Sequence, residues 1–136
     1  METELQTVIH SSTDIVTARQ RGRSLALELG FNGADVTLIA AAISEVARNI
    51  VDHAKTGEIL MSSLSNGASS GRKGIQIIAR DEGPGIRDVA QAMQYGYSTR
   101  KGLGVGLPGA KWLMDEFDIA SEVGRGTTIT MKKWRR

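Results

Sequence analysis

The chain has 136 residues, 40% of them hydrophobic and 24% charged, with a formal net charge of +2. That suits one globular domain over 1–136 with enough apolar residues for an ordinary core. Cysteine is absent, which excludes disulfide frameworks and thiol chemistry and fits a reducing cytoplasm. There is no signal-peptide pattern and no apolar run of about eighteen residues, so neither export nor a membrane partner is expected. The basic end Lys132-Lys133-Trp134-Arg135-Arg136 reads as a solvated chain end rather than a nucleic-acid contact.

Leu5 to His10 alternates loosely and predicts a strand. Ser11 to Asp14 offers N-cap residues for a helix that stops at Gly30. Asn32-Gly33-Ala34-Asp35 is a second turn and cap. Ile39, Ile43, Val46 and Ile50 follow a 3,4 spacing that predicts a helix from Val36 to about Ala54. Glu58 to Leu64 reads as a strand, and Ser65 to Gly71 as a flexible hairpin loop. Ile75 to Ala79 is a buried-strand pattern running into Asp81. A Gly/Pro-rich stretch with a short helix at Val89–Gln94 leads on to Lys101. A helix follows from Val105 to about Asp115, with Pro108 in its first turn. Asp118–Val123 and Thr127–Trp134 close the chain as strands around a turn at Gly124-Arg125-Gly126. The pattern is an α+β two-layer sandwich, helices against an antiparallel or mixed sheet.

Four short motifs succeed one another along this frame: Glu45-x-x-x-Asn49, Asp81-Glu-Gly83-Pro-Gly85, Gly102-Leu-Gly104-Val-Gly106 and Gly124-Arg-Gly126-Thr127. Glu45, Asn49 and His53 recur every four residues and share one helix face, with about 40° of drift per step. The Asn49 carboxamide offers a hard oxygen suited to Mg²⁺, and Glu45 can accept or orient a proton in phosphoryl transfer. Alone the pair also reads as a solvated or capping Glu/Asn; the glycine motifs that follow favour the site. His53 either continues this row or answers to the helix dipole. The Asp81 carboxylate can accept a hydrogen bond from the exocyclic amine of adenine, with Gly83 and Gly85 giving backbone access to a flat base; a simple turn is the alternative.

Gly102, Gly104 and Gly106 precede a helix, where backbone N–H groups can curl round phosphate oxygens. Of the cations just upstream, Arg100 or Lys101 can reach the terminal phosphate, and Arg100 is preferred for its bidentate fit; a solvated loop charge is the competing reading. One of Thr127 and Thr128 faces inward, either assisting Asp81 at the base edge or serving only as a strand residue. No Walker-type G-x-x-x-x-G-K-[ST] occurs, and no G-x-G-x-x-G follows a strand.

The order of these motifs resembles the N, G1 and G2 boxes of the gyrase, Hsp90, histidine-kinase and MutL (GHKL) ATP-binding superfamily, over roughly residues 36–131. The resemblance implies the Bergerat fold, a mixed sheet with helices on one face. It also implies ATP and Mg²⁺ as cofactors, Asn49 as metal ligand, Glu45 as the catalytic carboxylate and Asp81 with Thr127 at adenine. Gly83, Gly85, Gly102, Gly104 and Gly106 would shape pocket and lid. These residues include no transducer region and no histidine-bearing hairpin, so the chain is similar to the stand-alone serine kinases of Gram-positive bacteria. The run from Thr99 to Phe117 resembles their stress-response switch kinases more than their anti-sigma-factor kinases. That subgroup implies seryl or threonyl substrates on STAS-domain proteins of a stressosome and activation of a PP2C-type phosphatase by binding. An anti-sigma-factor kinase, a nucleotide-gated module without catalysis and the detached catalytic domain of a sensor kinase are the competing readings.

Overall fold

The computed structural model describes residues 4–65, 72–85, 93 and 106–136. Its strands are β1 (Glu4–Ile9), β2 (Gly57–Ser65), β3 (Lys73–Asp81), β4 (Glu116–Glu122) and β5 (Gly126–Trp134). They form one sheet in the order β1-β2-β3-β5-β4, with every pairing antiparallel. Helices α1 (Ser12–Glu28), α2 (Gly33–Asn49) and α3 (Gly106–Leu113) pack with one face of the sheet around a single apolar core. The expected α+β sandwich is present. The mixed sheet is not, among the described residues. β4 lies beyond the α3 crossover and runs in the same direction as β3, but β5 folds back and inserts between them. The short helix expected at Val89–Gln94 and most of the 65–71 loop lie outside the described residues.

Local chemistry sets the helix ends. Asp14 Oδ2 accepts from the backbone N–H of His10 at 2.8 Å and Ser11 at 3.2 Å, satisfying donors at the start of α1. At its other end Gly30 takes φ 89, with Gly30 N–H bonded to Leu27 O and Phe31 N–H to Ala26 O. That pair of bonds is a Schellman closure, which needs the left-handed residue. Asn32 caps α2 by accepting from Asp35 N–H at 2.8 Å. The helix expected to run to Ala54 changes character after Asn49: Ile50–Ala54 is a π-helical turn, closed by Lys55 N–H to Ile50 O at 2.9 Å. The apolar spacing persists through Ile50, so the sequence period does not mark this widening.

Strand register fixes what faces the helices. Side chains alternate across a sheet, and beyond the row of Ser63, Ile75 and Lys133 three further transverse rows meet the core. Leu5, Met61, Ile77, Met131 and Phe117 form one, and Thr7, Ile59, Ala79, Ile129 and Ile119 the next. The third row, at the end of the sheet, is Ile9, Gly57, Asp81, Thr127 and Ser121. Ile59, Met61, Ile75, Ile77, Ile129 and Met131 are fully buried against Ile39, Ile43, Val46 and Ile50 of the helical layer. Each such aliphatic side chain contributes about 1.5–3 kcal/mol on burial.

The basic end is solvated only in part, with Arg135 and Arg136 exposed and Lys133 buried. Lys133 is 6% exposed, and its Nζ donates to Leu113 O at 2.9 Å, at the C-terminus of α3. Arg135 Nη1 donates to Leu29 O at 3.4 Å, at the end of α1, and Arg136 pairs with Asp115. Cations at two helix C-termini complement the negative ends of those dipoles. No helix of the described residues is long and apolar enough to cross a membrane.

The seam between α1 and α2 depends on Gly22, where an added Cβ would overlap Ile43 Cδ1 in the packed core. Gly22→Val is expected to lower stability by about 1–3 kcal/mol in urea denaturation. Ile43→Ala in the same chain should then cost less than Ile43→Ala alone. An unshifted urea midpoint for Gly22→Val would contradict this packing.

Candidate active site

The last core-facing row of the sheet ends the apolar column Ile75, Ile77, Ala79 with a carboxylate. Asp81 is 9% exposed, and its Oδ1 accepts from Gly83 N–H at 2.9 Å and Thr127 N–H at 3.3 Å. Among the described residues nothing donates to Oδ2, so one acceptor remains at the rim of the core. Thr127 stands directly opposite Asp81 and is buried, as an inward threonine was expected to be. Its hydroxyl pairs with Ser121 Oγ at 2.7 Å, so its contact with Asp81 is through the main chain.

Glycines permit that pairing. Gly126 has φ 119, and a Cβ there would run into the Asp81 carbonyl and Glu82 Cα. Gly83 lies against the π-helical turn, where a Cβ would stand 2.6 Å from Ala54 Cβ. Gly85, at φ 79, meets the Glu122 carbonyl, and the adjoining Pro84 O accepts from Gly124 N–H at 2.9 Å. In this structure, therefore, Gly83 and Gly85 make room for neighbouring protein and lock the turn after Asp81 onto the β4–β5 turn.

At the helical side of the site Glu45 is 9% exposed. Its Oε1 accepts from Gly106 N–H at 3.1 Å, and its Oε2 pairs with Arg48 Nη1 at 3.2 Å. Gly106 opens α3 at φ 71, so the Glu45 carboxylate sits at that helix's positive end. Asn49, one turn beyond Glu45, is half-buried as the last residue of α2. His53 falls in the π-helical turn and is exposed, so the third member of the expected row leaves the helix face. Arg100, Gly102 and Gly104 lie outside the described residues.

A cleft of about 490 Å³ opens at the Asp81 end, lined by Ala54, Thr56, Gly57, Asp81 and Glu82 together with Val8, Glu58 and Arg80. Its size suits a small-molecule group. Glu45 and Asn49 do not line it, so it belongs to the Asp81 end alone. Hydrogen bonds from Arg80 and Gln6 hold the Glu58 carboxyl below the usual carboxylate range, keeping that wall an ion pair.

Among the described residues no group of three or more His, Cys, Asp or Glu could hold a metal. Mg²⁺ bound mainly by phosphate oxygens and water needs only one or two protein oxygens. Asn49 offers a carboxamide oxygen of that kind. Sequence reasoning missed Arg48, three residues after Glu45 and next to Asn49, although i,i+3 spacing was a usable sign. It also missed Ser121, whose role depends on register that no local pattern discloses.

The chain matches the family model described as "Histidine kinase-like ATPase domain" over residues 10–133. It is 51% identical over 128 residues to the serine/threonine-protein kinase RsbT of Bacillus subtilis (strain 168), covering 94% of each chain. It is 31% identical over 103 residues to an anti-sigma F factor of Thermoanaerobacter sp. (strain X514), covering 74% of this chain and 71% of that one. A crystal structure of the RsbU and RsbW domains of Rv1364c from Mycobacterium tuberculosis superposes with a TM-score of 0.63 at 25% identity. The match covers 98% of this chain and spans 33% of that longer one.

Gly126→Ala should separate β3 from β5 beside Asp81 and cost more than about 1 kcal/mol in chemical denaturation, since alanine tolerates neither the φ nor the contact. A stability equal to that of the parent chain would contradict the geometry. The motifs, the fold and the relatives agree: this chain belongs to the histidine kinase-like ATPase family, as a protein serine/threonine kinase of the RsbT type.

Proposed function

We propose that the chain transfers the γ-phosphoryl group of Mg-ATP to a seryl or threonyl hydroxyl on STAS-domain partners of a cytoplasmic stress-signalling complex. The observation that carries this reading is the placement of Glu45: a buried carboxylate held against the first amide of α3, one helical turn from Asn49. In the reaction the substrate oxygen bonds to the γ-phosphorus, the bond from phosphorus to the β-bridging oxygen breaks, and ADP leaves. Glu45 takes the hydroxyl proton. Arg100 or Lys101 steadies the terminal phosphate. Asn49 holds Mg²⁺, which supplies charge neutralisation on the phosphates when bound. Asp81 Oδ2 accepts from the adenine amine, and Thr127 N–H holds the other oxygen in place. Gly83, Gly85, Gly102, Gly104 and Gly106 shape the backbone of the nucleotide pocket.

The partner-switching role, in which the kinase binds and activates a PP2C-type phosphatase, is supported by the 51% identity to RsbT and by the RsbU and RsbW domains joined in the mycobacterial protein. The 31% identity to anti-sigma F factors favours a second reading, a kinase that sequesters a sigma factor. Capture of a sigma factor in place of STAS proteins would select it.

Incubation with γ-labelled ATP, Mg²⁺ and a STAS-domain protein should label a serine or threonine. Glu45→Ala is expected to lower that transfer by about 10²–10⁴-fold, and Asn49→Ala should abolish magnesium-dependent transfer. Full labelling by Asn49→Ala would refute its metal role, and label on histidine or aspartate would refute the substrate class.

A further inference from the structure

We infer that Arg48 is a positioning residue for the phosphoryl transfer, one that holds Glu45 in register while the Gly106 amide is surrendered to the nucleotide. The inference rests on the proposed role of Glu45 as proton acceptor and deepens it.

Both oxygens of Glu45 are engaged, by donors of different origin. Oε1 is bonded to Gly106 N–H at 3.1 Å and Oε2 to Arg48 Nη1 at 3.2 Å. The terminal torsion of a glutamate is broad and roughly two-fold, so these two donors together fix the carboxylate plane. A carboxylate has about four acceptor positions, so a seryl hydroxyl can still reach it. A donor already on an oxygen competes for the charge that would take the proton, and release of one donor makes that oxygen the better acceptor.

The Gly106 amide is the one that yields. It stands at the N-terminus of α3, where the helix dipole favours the most negative group within reach. A triphosphate carries more charge than one carboxylate and competes for that amide. Oε1 then becomes free to accept a proton beside the γ-phosphoryl group. Its release creates a second difficulty: a carboxylate next to a triphosphate is repelled by it, and with the amide gone nothing from α3 restrains it.

Arg48 answers that difficulty. It projects from the same helix, three residues on, so its hold on Oε2 does not depend on where α3 stands. Its side chain is 29% exposed against 10% for Glu45, which lets the guanidinium follow a small shift of the carboxylate. The contact uses one guanidinium nitrogen, Nη1, and not the full fork, so an ammonium group can replace it.

The test is a double-mutant cycle on transfer from γ-labelled ATP to a purified STAS-domain protein that the parent chain labels, with ATP affinity measured alongside. Arg48→Met is expected to lower kcat by about 10–100-fold, the range of a displaced proton acceptor, with a smaller change in ATP affinity. Arg48→Lys should recover most of the lost turnover. In a Glu45→Gln background Arg48→Met should cost less than about twofold, because Arg48 acts through the carboxylate. A residue needed only for folding would lower both backgrounds alike and resist rescue by lysine. Equal losses in the two backgrounds, or a parental kcat for Arg48→Met, would overturn the inference and leave the kinase reading intact. Parental transfer by Glu45→Gln would instead overturn the role of Glu45, and this inference with it.

Discussion

Antiparallel register is the constraint on which the rest of the structure depends. Successive rows of the sheet present apolar side chains to the helices, and the last brings Gly57, Asp81, Thr127 and Ser121 side by side. The same pairing that seals Ile77 against Met131 thereby delivers a carboxylate to the edge of the core four residues on. A slip of one residue would turn Asp81 outward together with every buried isoleucine of its strand. Stability and the site are thus secured by one set of hydrogen bonds. The glycine at 126 is what lets the two strands close at this row, beside the Ser121–Thr127 hydroxyl pair.

The second connection runs through the helical layer. Glu45 and Gly106 are 61 residues apart in sequence, yet one hydrogen bond joins them. α3 is short, eight residues, and helices of that length are marginal unless packing and end charges support them. Here a carboxylate lies at its N-terminus and the buried ammonium of Lys133 at its C-terminus. Both charges oppose the dipole in the stabilising sense. The helix that follows the glycine-rich stretch is therefore anchored at both ends. The charged groups responsible come from α2 and β5.

Much of this could be read from the chain beforehand, and the failures have physical causes. Helix starts and stops at Asp14, Gly30 and Asn32 follow from local capping chemistry, which the sequence states directly. The strands follow from alternation, to within a residue or two at each end. The identity of Glu45, Asn49 and Asp81 as candidates came from motif order, and the relatives support the family that order implies. The π-helical turn was hidden because Ile50 keeps the helical spacing while the backbone widens, and with it went the expected place of His53. The fate of the basic end was hidden too: Lys133 looks like a surface residue until β5 is known to pass beside Leu113. The all-antiparallel sheet was unreadable because nothing local says that β5 inserts between β3 and β4.

Titration calorimetry with ATP and with GTP, in the presence of Mg²⁺, tests the central claim most directly. Asp81 Oδ2 is an acceptor without a donor among the described residues; adenine offers an amine where guanine offers a carbonyl oxygen that the carboxylate repels. ATP should therefore release measurable heat and bind at least about tenfold more tightly than GTP, a difference of about 1.4 kcal/mol. Equal affinities, or no heat from ATP at millimolar concentration, would contradict the account.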